Sequence, residues 1–119
     1  MAGMRRLDEA FERREYFRIS RRIPCALLAG GRRHEGVVRD ISPGNLVVQT
    51  AAELPAGAPV VVSLEMPGDG MTLLQASVRE RRAVARSLTT CTWADTVLRV
   101  DAPPAAWLRW VDGEIEKES

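Results

Sequence analysis

Lysine, histidine and cysteine are nearly absent from the chain: Lys117 and His34 stand alone, and the two cysteines, Cys25 and Cys91, are far apart. The cysteines make no C-x-x-C or zinc-ligand spacing, which excludes a disulfide-rich scaffold or a zinc finger. Met1 to Ala10 has no apolar leader, so both thiols are expected reduced and at least partly buried, in a cytoplasmic protein. His34, between Arg33 and Glu35, points to no metal site. H-E-x-x-H, G-x-S-x-G and Walker patterns are missing, and the expectation is a protein that is not an enzyme and uses no cofactor or metal. No run approaches the roughly 18–20 apolar residues of a membrane span. Net charge is scarce too. Seventeen Lys plus Arg against 16 Asp plus Glu leave +1, which argues against coating nucleic acid through bulk electrostatics.

What is present amounts to one domain. With 119 residues, 45% hydrophobic and 28% charged, the composition is that of a globular rather than a disordered chain. The small net charge hides a split. Residues 1–39 hold ten Arg against five acids (+5), and residues 40–119 hold seven basic residues against eleven acids (−4). Sixteen of the 17 basic residues are Arg, whose planar fork of donors suits phosphates and guanine edges. Genomic base composition also enriches Arg, so its placement matters more than its abundance.

Residues 3–17 are rich in helix formers, with Met4, Leu7 and Phe11 on a thin stripe, although the alternating charges suit a mobile arm equally well. From Ile19 the period becomes two. Ile19, Ile23, Cys25 and Leu27 lead into a Gly30-Gly31 turn, Arg32 to Ile41 returns, and Leu46 to Thr50 makes a third strand. Val60, Val62, Leu64 and Met66 alternate with Val61, Ser63 and Glu65. After a Pro67-Gly68-Asp69-Gly70 turn, Thr72, Leu74, Ala76 and Val78 repeat the pattern. Arg79, Arg81, Arg82 and Arg86 form a second basic run, read as a solvated hairpin, with the rim of a binding face or a partner surface as the alternative. Residues 87–100 make the last strand region, with Trp93 and Val97 on one face. Asp101 is expected to cap a helix over about 102–116, with Pro103 and Pro104 in its first turn and Trp107, Leu108, Val111 and Ile115 as its docking stripe. The pattern predicts a mainly β fold, a small six-stranded antiparallel barrel, because closure removes exposed edges. An Arg-rich arm or helix (residues 1–18) precedes the barrel and its C-terminal helix (residues 19–119).

Two polar segments stand out. Glu12-Arg13-Arg14-Glu15-Tyr16-Phe17-Arg18 carries R-R-x-x-x-R just before the first strand, and Asp40-Ile41-Ser42-Pro43-Gly44-Asn45 is a tight turn between the second and third. Alone, the first is ordinarily a solvated charge run and the second a self-capping loop. Together, in this order and about 22 residues apart, they resemble the R-x-x-x-R and [D/N]-x-S-x-x-G signatures of the PilZ domain family. Arg14 and Arg18 match the first, Arg13 gives its doubled form, and Asp40 and Ser42 match the second. The resemblance runs from about Glu12 to Val111. It implies a PilZ-like barrel of split-barrel type that binds the bacterial second messenger cyclic diguanylate (c-di-GMP) and relays it to a protein partner, as in motility or biofilm regulation. One position departs: the motif glycine falls at Asn45, with Gly44 one place earlier. Asn tolerates left-handed backbone, so the turn is expected to survive, while its side chain would crowd a base lying on that backbone.

The chemistry is consistent with such a ligand. Arg can grip a phosphate, or guanine O6 and N7, through two parallel hydrogen bonds. Asp40 can accept from the guanine N1 and N2 donors. In an extended strand Asp40 and Ser42 share a face while Ile41 points inward, and the Pro43-Gly44-Asn45 turn offers backbone amides. The candidate ligand set is Arg13, Arg14, Arg18, Asp40, Ser42, Gly44 and Asn45. Two alternatives stay open. One is a degenerate PilZ-like adaptor that binds only protein, through the helix bearing Trp107 and Trp110. The other is a small-barrel nucleic-acid binder using the Arg-rich arm, against which the acidic remainder speaks.

Overall fold

The structure, a computed structural model, describes residues 19–66, 70–82 and 94–118. The expected arm or helix with Arg13, Arg14 and Arg18 lies outside the described residues, as do Arg86, Cys91, Trp93 and most of the Pro67–Gly70 turn. Six strands run in order: β1 (Ile19–Ala29), β2 (Arg32–Ser42), β3 (Asn45–Thr50), β4 (Pro59–Met66), β5 (Gly70–Arg82) and β6 (Ala94–Val100). One helix, α1 (Ala105–Glu118), follows. Neighbouring strands are antiparallel and close into a barrel in the order β1-β2-β3-β6-β5-β4, the predicted architecture.

Alternation drives the closure. In β4, Val60, Val62, Leu64 and Met66 are buried, whereas Pro59, Val61, Ser63 and Glu65 are half-buried or exposed. The β1–β2 turn uses Gly30 and Gly31 with φ of 58° and 75°, the left-handed pair that a two-residue hairpin favours. Because β3 and β4 are not neighbours, residues 51–58 travel from one to the other and bury Leu54 in the core. This crossing is pinned to β5 by Gly57 N–H donating to Val78 O (2.7 Å) and Val78 N–H to Ala58 O (3.0 Å).

Three bulges interrupt the period of two, at Ser20/Ile23 in β1, Val38/Asp40 in β2 and Val78/Glu80 in β5. A bulge sets two residues of one strand against one of its partner and re-aims a side chain. In β2, Val38 and Ile41 both face the core, three residues apart, so Arg39 and Asp40 are both released to the outside. In β5 the same offset releases Arg79 and Glu80 after the buried Val78. The second basic run does not follow the fifth strand but belongs to it as far as it is described. Arg79, Arg81 and Arg82 lie in β5, on the outgoing arm of the antiparallel β5–β6 pair, and the bulge and charged outward positions hide this strand character in the sequence.

The helix begins later than its sequence suggests. Leu108 N–H donates to Pro104 O (3.1 Å), which makes Pro104, not Asp101, the residue that opens the first turn. Asp101 is held elsewhere, its N–H on Gln75 O (2.7 Å), and Ala102 turns the chain with φ of 45°. Trp107 and Val111 are fully buried against the barrel core, and Trp107 stacks on half-buried Trp110 with ring centroids 5.6 Å apart. Trp107 is thus unavailable as a partner-docking residue, because its indole is spent on fastening α1 to the barrel. Leu108 stands apart from the docking stripe and is exposed.

Candidate ligand-binding face

The bulges furnish the outer surface of β2, β3, β6 and β5 with polar side chains. Cross-strand register lays one outer row as Ser20, Asp40, Val47, Val97 and Glu80, and a second as Ser42, Asn45, Arg99 and Ser77. Asp40 and Ser42 share this face and Ile41 between them is fully buried, as expected of an extended strand. At the middle of the first row, Val47 and Val97 are buried yet lie outside the barrel's core cluster. They form a small aliphatic floor, flanked in the row by the carboxylates of Asp40 and Glu80.

Local bonds fix the polar groups around that floor. Ser20 Oγ donates to Asp40 Oδ1 at 3.0 Å, tying β1 to β2 and leaving Asp40 with acceptor capacity. Ser42 is buried, and its hydroxyl makes a long 3.4 Å bond to Asn45 O across the mouth of the turn. Gly44 O accepts from Val100 N–H at 2.9 Å, so the turn is anchored to the end of β6.

Asn45 differs from expectation in an informative way. It is the first residue of β3, and neither it nor Gly44 has a positive φ. The backbone here demands no glycine, so the side chain at 45 matters for what it places on the face rather than for the turn. Its Oδ1 accepts from Arg79 Nη1 at 3.1 Å.

Two arginines thus straddle the Val47–Val97 pair. Arg39, from the β2 bulge, reaches over β3 to Asp95 on β6, with Nη1 at 3.0 and 3.2 Å from the two carboxylate oxygens. Arg79, from the β5 bulge, reaches over β6 to Asn45 on β3. Arg82 is taken by Glu80 on its own strand, at 2.8 Å. Arg99 lies opposite Asn45, exposed and without a hydrogen-bond or ion-pair partner among the described residues. The sequence signatures reveal Asp40 and Ser42 but not Ser20, Arg39, Arg79 or Arg99, whose assembly depends on register. The one available signal was the Val38–Ile41 spacing of three, which marks a bulge. Cys25 is half-buried beside the core, and burial pushes its thiol up to about 11. No group of three His, Cys, Asp or Glu side chains able to hold a metal ion occurs among the described residues. Nor is any described helix long and apolar enough to cross a membrane.

Comparison with known proteins bears on this face. The family model for the PilZ domain matches residues 12–94. Among solved structures, the PilZ domain with c-di-GMP of YcgR from Escherichia coli superposes with a TM-score of 0.65 at 23% identity, covering 89% of this chain and 93% of that one. The Bacillus subtilis inhibitor of motility MotI/DgrA gives a TM-score of 0.70 at 16% identity. That match covers 90% of this chain, which spans about half (53%) of the Bacillus protein. The PilZ domain of CeSA from a cellulose-synthesizing bacterium gives 0.53 at 18% identity, covering 86% and 93% of the two chains. No curated protein sequence gives a significant match.

Proposed function

The chain belongs to the PilZ domain family, and from that premise we propose that it is a receptor that binds cyclic diguanylate on the outer face of β2, β3, β6 and β5 and relays it to a protein partner. The observation that carries this reading is the placement of Asp40 and Ser42 on one face, beside the Val47–Val97 floor. Asp40 then accepts from the N1 and N2 donors of a guanine whose ring lies on the floor. Arg13, Arg14 and Arg18 hold the ligand from the other side. Arg18 is two residues before Ser20 in the chain, and Ser20 pairs with Asp40, which supports a role for the motif arginines at this site. Gathering them onto the turn at Asp40–Asn45 reshapes the surface offered to a partner. The fold shared with a c-di-GMP-bound domain and with an inhibitor of motility supports a receptor or adaptor rather than a catalyst.

Asn45 favours a second reading, a PilZ adaptor that docks protein without nucleotide, because its amide stands where the family pattern has glycine. Calorimetric titration with c-di-GMP separates the two. The receptor is expected to bind, and Asp40→Ala and Arg18→Ala to weaken binding about tenfold or more, where tenfold is ~1.4 kcal/mol. Silence of the wild-type chain at high micromolar ligand moves the assignment to the second reading.

A further inference from the structure

We infer that Arg79, held over the sheet by Asn45, is a further ligand-contacting residue that takes a phosphate of the bound dinucleotide, with Asn45 as its positioning residue. This rests on the receptor reading and concerns two residues outside the R-x-x-x-R and D-x-S matches. Arg79 leaves β5 at the bulge, and its bond partner is on β3, two strands away. Strands lie ~4.8 Å apart, so the roughly 10 Å from β5 to β3 is bridged along the outer surface by the Arg79 side chain, the hydrogen bond and the Asn45 side chain together. Its guanidinium therefore lies across β6 beside the side chain of Asn45, the residue paired with Ser42, on the face where the ligand is proposed to sit.

Charge separates Arg79 from its neighbours. Arg39 is paired with Asp95 and Arg82 with Glu80, so those cations are largely neutralised. Because Glu80 is engaged by Arg82, the acid beside Arg79 in the chain does not cancel it. Among the described residues Arg79 is bonded only to a neutral amide. A guanidinium has five N–H donors, and the Asn45 bond uses one, which leaves an edge free for a phosphate with the charge intact. Arg99, opposite Asn45 and without a partner among the described residues, adds a second positive group to the same edge. Arg79 and Arg99 then offer a dianion positive charge on the β5–β6 side of Asp40 and Ser42.

The test is a double-mutant cycle at Arg79 and Asn45, read by calorimetric titration with c-di-GMP at low and high salt, with thermal melts as a control for folding. Arg79→Ala is expected to weaken binding about tenfold and to flatten its salt dependence, with the melting temperature nearly unchanged. Asn45→Ala is expected to weaken it about threefold, and the double variant to bind no worse than Arg79→Ala alone, because orientation is lost only once. Wild-type affinity in Arg79→Ala, tighter binding in that variant, or full additivity of the two losses would each overturn the inference while leaving the receptor reading intact. A wild-type chain that binds no c-di-GMP overturns both.

Discussion

Replacing Gly36 by Ala inserts one methyl group where the barrel has no room. A Cβ at Gly36 would lie 2.8 Å from Val48 Cγ1, 3.1 Å from Gln49 O and 3.4 Å from Cys25 Sγ. None of these neighbours yields easily. Val48 is fully buried and β-branched, with few open rotamers, and Gln49 O is backbone. Only the Cys25 contact is of ordinary length. The strain must fall on the spacing between β2 and β3, where Gly36 sits across from Thr50. Overpacking of this kind costs ~1–3 kcal/mol. At ~3–5 °C per kcal/mol for a domain of this size, Gly36→Ala is expected to lower the melting temperature by roughly 3–15 °C. With m near ~1.5 kcal/mol/M, the urea midpoint should fall by about 0.7–2 M. Adding Val48→Ala removes the closest atom, so Gly36→Ala should cost clearly less in a Val48→Ala background than in the wild type. The same hairpin carries Asp40 and Ser42 toward its far end, so c-di-GMP affinity should fall along with stability. An unchanged urea midpoint for Gly36→Ala would show that the strands separate at no cost and that the register is looser than described.

Trp107→Ala removes the indole that fixes α1 to the core and should cost ~3–5 kcal/mol, a large share of a small domain's stability, in denaturant titration. Trp107→Phe should lose at least ~1 kcal/mol less than Trp107→Ala, because it keeps a ring in the core while both variants remove a buried Nε1–H that finds no acceptor among the described residues. Ala102 holds φ at 45°, so Ala102→Gly should raise the melting temperature by a few degrees, about 1 kcal/mol of relieved strain. Cys25 is lifted from 9.0 to about 11 by burial, so the folded chain keeps a proton that the unfolded chain releases. Its contribution is complete below pH 9 and declines toward pH 11, and in Cys91→Ser protein Cys25 should resist iodoacetamide at pH 7.5 until urea unfolds the barrel.

Much of the barrel was legible because its inward residues obey a period that only a strand satisfies. Val60, Val62, Leu64 and Met66 could face one core and nothing else, and Gly30-Gly31 could only be a hairpin turn. The shared face of Asp40 and Ser42 was legible, because local spacing fixes side-chain direction. Arg79 was legible only as one of a basic run that could rim such a face, because its place depends on a bulge in β5 and on β3 lying beside β6, a non-sequential pairing no local pattern encodes. Asp101 misled for a related reason. It has the composition of an N-cap, but its backbone N–H is claimed by Gln75 on a neighbouring strand, so tertiary pairing overrode a local preference. Asn45 was read as a substitute for backbone freedom, whereas its φ is ordinary and its use lies in the side chain.

An almost neutral chain can hold a dianion if its charges cancel everywhere except at the site. On this face Asp95 cancels Arg39 and Glu80 cancels Arg82, which leaves Arg79 and Arg99 as positive groups without a carboxylate partner among the described residues. An amide at position 45 orients a guanidinium without neutralising it, which a carboxylate could not do. Asn45→Asp separates the two effects, since it keeps the shape and the acceptor while adding a negative charge at the same distance. The Arg79 clasp should tighten and the barrel should gain a little stability, of the order of ~0.5 kcal/mol for an exposed ion pair. Binding of c-di-GMP should nevertheless fall by at least the tenfold expected of Arg79→Ala, because the added carboxylate both cancels the cation and repels phosphate. The loss should shrink as salt is raised and the repulsion is screened. If Asn45→Asp binds c-di-GMP as tightly as the wild type at low salt, the charge of Arg79 is not felt by the ligand, and the placement of a phosphate beside it is wrong.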